Sequence, residues 1–131
     1  MKALDTNVLI RYLVQDDPSQ SRKAAAYIEG AASAAEQILI SNIVLCETAW
    51  VLDSAYGYAK LEIEGAIEKL LQSATFQFEA KDIVSAAFDD YRAGKVDFAD
   101  CLMGRINASH GCEPTATLDT ALRKLPTFHV L

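Results

Sequence analysis

Five short apolar runs punctuate the chain: Lys2–Leu4, Ile38–Ile40, Phe76–Phe78, Thr115–Leu118 and Phe128–Val130. Each is brief, and each is separated from the next by a stretch long enough for one or more helices. Strands this short and this apolar are covered on both faces, and helix-length connections return the chain in the same direction. The pattern predicts an α/β fold around a small, mostly parallel sheet. At 131 residues the chain has room for one hydrophobic core. With no internal repeat, Ser/Pro linker or like-charge block, a single domain over 1–131 is expected.

The intervening stretches carry helical signals. Val8, Leu9, Tyr12 and Leu13 share one face after Asp5–Thr6. Pro18, following Asp17, opens an Ala-rich helix through about Ala32. Ile43, Leu45, Ala49, Trp50, Leu52 and Ala55 make a thickly apolar helix that ends near Gly57. Leu61–Leu71 is amphipathic, with Ile63, Ile67, Leu70 and Leu71 inward and Glu62, Glu64 and Glu68 outward. Lys81–Ala93 is closed by Gly94, read as a C′ residue. Phe98–His110 runs to Gly111, and a short helix covers Thr120–Leu125.

Composition removes several function classes. Half the residues (51%) are apolar and 23% are charged, which excludes a disordered or collagen-like chain. A net charge of −6 argues against a protein that coats nucleic acid or an anionic membrane through a basic surface. Three cysteines without CxxC spacing give neither a disulfide scaffold nor a four-thiolate zinc site. Asp5 and Arg11 interrupt the opening MKALDTNVLIRYL too early for a signal peptide. No run approaches the roughly 18 apolar residues of a membrane span. The expectation is a soluble, reduced, cytoplasmic domain.

The acids hold the chemical information. Asp5 and Asp119 each follow a strand-like run, at the carboxyl end where open α/β sheets place their ligands. Either would also serve as a helix N-cap. Glu47 lies in the most apolar helix, where Val44, Leu45, Ala49, Trp50 and Val51 leave little solvent-facing arc, and a carboxylate so placed needs a partner. Its other reading is a narrow polar stripe with Asn42 and Asp53. Asp97 and Asp100, spaced i, i+3 at a helix start, read as a cap (Asp97) and as the functional acid of the pair (Asp100). Thr117 points its hydroxyl to the same side as Asp119 by the period-2 geometry of a strand. Carboxylates that converge cannot all stay ionised without a cation, and an all-oxygen donor set selects Mg²⁺ or Mn²⁺. Metal-assisted phosphodiester hydrolysis is the reaction these residues best support.

Four segments carry a family resemblance: LDTNVLIRYLVQDDP (4–18), SNIVLCETAWVL (41–52), DFADCLMGRINASHGC (97–112) and TATLDTAL (115–122). Together, in this order, they resemble PIN-domain ribonucleases, and within them the VapC toxins of bacterial toxin–antitoxin pairs. The resemblance implies a three-layer α/β/α sandwich and an acidic metal site of Asp5, Glu47, Asp100 and Asp119. It adds Asp97 as a further acid, with Thr6, Asn7 and Thr117 positioning the carboxylates. It also implies an RNA substrate, a 5′-phosphate product, a symmetric homodimer, and an antitoxin whose basic, amphipathic tail caps the acidic site.

Arg11 and Arg105 are the foremost candidates for RNA phosphate contacts, and Arg92 and Lys95 read equally well as solvated surface charge. Of the 18 acids, five are candidate ligands, and the rest nearly balance the 12 Lys and Arg, so RNA binding is compatible with the charge. Cys46 and Cys101 adjoin Glu47 and Asp100 in sequence but face away on a helix, as small core residues do. His110-Gly111-Cys112 lacks a second ligand pair for zinc. Alternative readings are a housekeeping PIN nuclease of RNA processing and a receiver-like Mg²⁺-binding signalling domain. The latter wants an acidic pair after the first strand and a Lys at a later strand end. An Asp-nucleophile phosphatase would need an acid where Asn7 stands.

Overall fold

The computed structural model describes residues 1–131. They fall into two compact units, Met1–Glu79 and Ala80–Leu131.

The first unit runs β1 (Lys2–Ala3), α1 (Thr6–Val14), α2 (Pro18–Ser33), β2 (Ile38–Ile40), α3 (Asn42–Ser54), α4 (Lys60–Gln72) and β3 (Phe76–Phe78). Its sheet has the order β1-β2-β3, every pair parallel, as short apolar strands with helical crossovers require. The first strand ends earlier than expected, at Ala3, because Leu4 leads directly into the cap of α1. Leu9 and Ile10 of α1, Ile28 of α2, Ile38 and Ile40 of β2, Leu45 and Leu52 of α3, and Ile67 and Leu70 of α4 are buried. Asp17 caps α2, its Oδ1 accepting from the Gln20 N–H at 3.0 Å, with Pro18 in the first helical position. Helix α1 closes on Gln15 in the left-handed region (φ 59°), whose N–H reaches Arg11 O. Tyr12 meets Phe76 edge-on at 6.1 Å, and the Lys69 ammonium lies 4.9 Å over the Tyr12 ring.

The second unit is α5 (Lys81–Ala93), α6 (Phe98–Ser109), β4 (Thr115–Thr117), a 3₁₀ turn (Thr120–Leu122) and β5 (Phe128–Val130). Helices α5 and α6 pack together, with Tyr91 and Phe98 edge-to-face at 5.8 Å. Strands β4 and β5 pair in parallel. Two local expectations are corrected. Gly94 does not close α5 in the left-handed region; it is extended (φ −119°, ψ −168°), and the chain bends over residues 94–96 before Asp97. The helix expected over Thr120–Leu125 is only a 3₁₀ turn over Thr120–Leu122. The bond from the Leu125 N–H to Leu122 O is again i→i+3, and Pro126 disfavours a helical Leu125. No helix is long and apolar enough to cross a membrane.

Candidate active-site carboxylates

In residues 1–79 the parallel register aligns the carboxyl ends of three strands. Continued past the last paired residues, it sets Asp5, Ser41 and Glu79 in one row across the sheet. Asp5 does cap a helix: its Oδ1 accepts from the Val8 N–H at 3.0 Å. Its other oxygen is uncommitted, so the cap aims the carboxylate without consuming it. Ser41 caps α3 through its hydroxyl, which accepts from the Val44 N–H at 3.3 Å. Glu79 accepts from the Asn42 backbone N–H at 3.0 Å and from Asn42 Nδ2 at 3.2 Å.

Sequence reasoning passed over Glu79. Its signal was the one already used for Asp5, an acid immediately after an apolar strand run. Both its oxygens serve the first turn of α3, so Glu79 acts as a positioning residue for the helix that bears Glu47.

Of the two readings of Glu47, enclosure among apolar neighbours does not hold. Glu47 is exposed, between Ile43 (70% exposed) and Trp50 (68%). Residues 43, 47 and 50 fall on one face at i, i+4, i+7, while Val44, Leu45, Thr48, Ala49 and Leu52 bury the opposite one. The helix is apolar nearly all round but covered on one side only. Thr6 is half-buried and Asn7 exposed at the start of α1.

In residues 80–131, Asp97 occupies the N-cap position of α6 (φ −70°, ψ 147°), yet its side chain makes no capping bond. Its reading as a cap therefore holds for the backbone and not for the carboxylate, which is left over for other work. Asp100 lies in the first turn of the same helix. Asp119 follows β4. Its own N–H donates to Thr117 Oγ1 at 3.0 Å, and its Oδ1 accepts from the Ala121 N–H at 2.9 Å. The Thr117 hydroxyl thus orients Asp119 through the backbone.

Electrostatics ties these three acids together. Asp100 is half-buried, and its pKa is raised above the ordinary carboxylate value by burial first, then by the charges of Asp97 and Asp119. Negative charge accumulates here without a compensating base, which is the condition a bound cation relieves. The donors are carboxylate oxygens, the set a hard divalent ion takes. As the side chains stand, no group of three or more His, Cys, Asp or Glu is gathered tightly enough to hold a metal ion.

The two arginines expected at phosphate are occupied. Arg105 clasps Asp90 with Nε at 2.7 Å and Nη2 at 2.8 Å. Arg11 donates from Nε to Gln20 Oε1 at 2.7 Å, and from Nη1 to Asp16 Oδ1 at 2.8 Å and the Tyr56 hydroxyl at 3.0 Å. These carboxylates hold both guanidinium pKa values above the ordinary one. Arg105 has become an internal brace between α5 and α6, whereas Arg11 keeps Nη2 out of all these bonds.

The family model of the PIN domain matches residues 2–127. The chain belongs to the PIN-domain family. PIN domains are in general nucleases that use divalent metal ions, and the α/β fold with parallel strands is the one this PIN domain displays. Comparison with curated proteins and with solved structures gives no match.

Proposed function

We propose that this PIN domain is a metal-dependent endoribonuclease that hydrolyses single-stranded or looped RNA, and that it acts as the toxin of a toxin–antitoxin pair of the VapC kind. The observation that carries the nuclease reading is Asp100: a half-buried carboxylate at a helix start, its proton affinity raised by that burial and then by Asp97 and Asp119, in a chain of nuclease family.

Asp97, Asp100 and Asp119 would hold Mg²⁺ or Mn²⁺, with Asp5 and Glu47 as the further acids that the family resemblance assigns to the same chemistry. The ion, when bound, supplies a water of lowered pKa and a positive charge for the scissile phosphate. The chain's part is orientation and charge. Asp5 and Asp119 each have one oxygen fixed by a cap bond, so the other is presented in a constant direction. Glu47, on the open face of α3, is suited to accept a proton from an attacking water. Looped or single-stranded RNA is favoured because in-line attack needs a phosphate free of A-form stacking constraints. Cleavage leaves a 5′-phosphate.

An antitoxin with a basic, amphipathic tail would quench the carboxylates, since a guanidinium pairs bidentately with them. A symmetric homodimer would draw on the Ala24–Ala35 and Leu61–Leu71 helices, which expose Tyr27 and Leu61 and leave Leu71 half-buried, and on Ile43 and Trp50 of α3.

The test is cleavage of a looped RNA by purified Asp100→Asn in Mn²⁺. Activity should fall on the order of 100-fold or more, with circular dichroism unchanged. Wild-type cleavage by this variant removes the assignment.

A further inference from the structure

We propose that Lys95, Arg123 and Lys124 grip the RNA phosphates next to the scissile one. This rests on the nuclease reading above and gives it a means of holding the strand. Every residue concerned lies within 80–131.

Asp97, Asp100 and Asp119 are bracketed by cations in the chain. Lys95 stands two residues before Asp97, and Arg123 and Lys124 follow Asp119 by four and five. All three cations are exposed. The neighbouring arginines are spent: Arg92 pairs with Asp89 at 2.9 Å and lies over the Phe88 ring, and Arg105 is clasped by Asp90. Lys95, Arg123 and Lys124 form no ion pair. Arg123 does not turn back onto Asp119, and no base offsets the charges that raise the Asp100 pKa. The cations therefore stand beside the carboxylates without neutralising them. That leaves the acids to a metal ion and the cations to an anion.

Backbone geometry sets the reach. Asp119 Oδ1 is fixed by the Ala121 N–H, and the 3₁₀ turn it caps ends on Arg123, whose N–H donates to Thr120 O at 3.2 Å. Leu122, 2% exposed, pins the turn to the core, and the Leu125 N–H donates to Leu122 O at 3.0 Å. At a rise of about 2.0 Å per residue, the Arg123 backbone lies about 8 Å along the turn from Asp119. An arginine side chain at that distance is long enough to meet the phosphate one nucleotide from an ion held at Asp119, and its fork suits phosphate oxygens. With a net charge of −6 no general basic surface holds a polyanion here. The grip must be local.

The experiment is a fluorescence-anisotropy titration of the full chain with labelled single-stranded RNA over a salt series. It is run in Ca²⁺, which takes oxygen donors and so screens the acids. Arg123→Gln together with Lys124→Gln should weaken binding and lower the salt slope by about 1.4, and Lys95→Gln by about 0.7. Arg123→Lys should keep the slope. Lys81→Gln is the matched control, removing one exposed, unpaired cation at the start of α5. Helices α5 and α6 are joined by residues 94–97 and run antiparallel, so Lys81 lies about 18 Å along the helix from the end nearest Asp97. Its loss should leave the slope in place. Equal slope losses in Lys81→Gln and Lys95→Gln, or wild-type slopes in all these variants, overturn the grip. So does a wild-type chain that binds no RNA, or one that binds a poly-glutamate peptide equally well, which makes the patch an acidic-peptide site. Cleavage in Mn²⁺ is scored separately. Cleavage with unchanged slopes in the variants sinks the grip alone, and lowered slopes without wild-type cleavage sink the nuclease reading alone.

Discussion

Asp100 is where burial and like charge meet in one side chain. Its folded pKa lies above the ordinary carboxylate value, so over the interval between the two the native state holds a proton that the unfolded chain has lost. Stability of the metal-free protein therefore falls as pH rises through that interval. Below the ordinary carboxylate value both states are protonated and no penalty exists. Asp100→Asn removes the titration. Thermal unfolding in EDTA between about pH 3.5 and 7 should show a midpoint difference, variant minus wild type, that grows with pH and then levels. A flat difference would mean that Asp100 is not the strained acid. Asp5, Asp97 and Asp100 were all legible in sequence as acids at element starts. Which of them commits an oxygen to a capping bond was not, because a cap position and a capping bond are separate facts. Asp5 has both and Asp97 only the first.

Elements carry these side chains by how closely they pack. Helix α6 crosses the start of β5 at Gly104, where a Cβ would lie 2.5 Å from Thr127 Oγ1 and 2.7 Å from Phe128 Cε2. A hydrogen is all that fits. Gly104→Ala gains about 1 kcal/mol of helix propensity but overpacks a buried contact, at about 1–3 kcal/mol. Overpacking wins because Phe128 is itself buried, and a net loss of about 1 kcal/mol is expected. Chemical denaturation measures it, and an unchanged or raised midpoint would show that Thr127 and Phe128 can yield. The helix that moves is the one that begins at Asp97 and Asp100, so RNA cleavage should fall with it. Helix periodicity and caps placed all six helices in the sequence. It gave no sign of this contact, since an interior glycine in a helix reads locally as a mere weakness.

The proposed biology is decided with the whole chain in a cell. Under the toxin proposal, strong expression of this chain alone should arrest growth, co-expression of the proposed antitoxin should restore it, and Asp5→Ala should be harmless. Colony counts and RNA integrity are the readouts. Normal growth with soluble wild-type chain would leave a housekeeping PIN nuclease as the better reading. The exposed face of Ile43, Glu47 and Trp50 on α3 bears on this scale too. It puts a candidate catalytic acid beside apolar surface that a partner would cover.

The α/β class, the parallel strands, the helices and the acids at their ends were legible in the sequence, because these follow from local periodicity, capping chemistry and the spacing of apolar runs. The tertiary structure alone decided the exposure of Glu47, the diversion of Arg105 to Asp90 and the binding of Glu79 to Asn42. It alone decided that a cavity opens between α1 and α2. Each of these depends on which residue from a distant segment arrives alongside. Periodicity gives the faces of an element, and only packing determines which face is covered and which charge finds its partner.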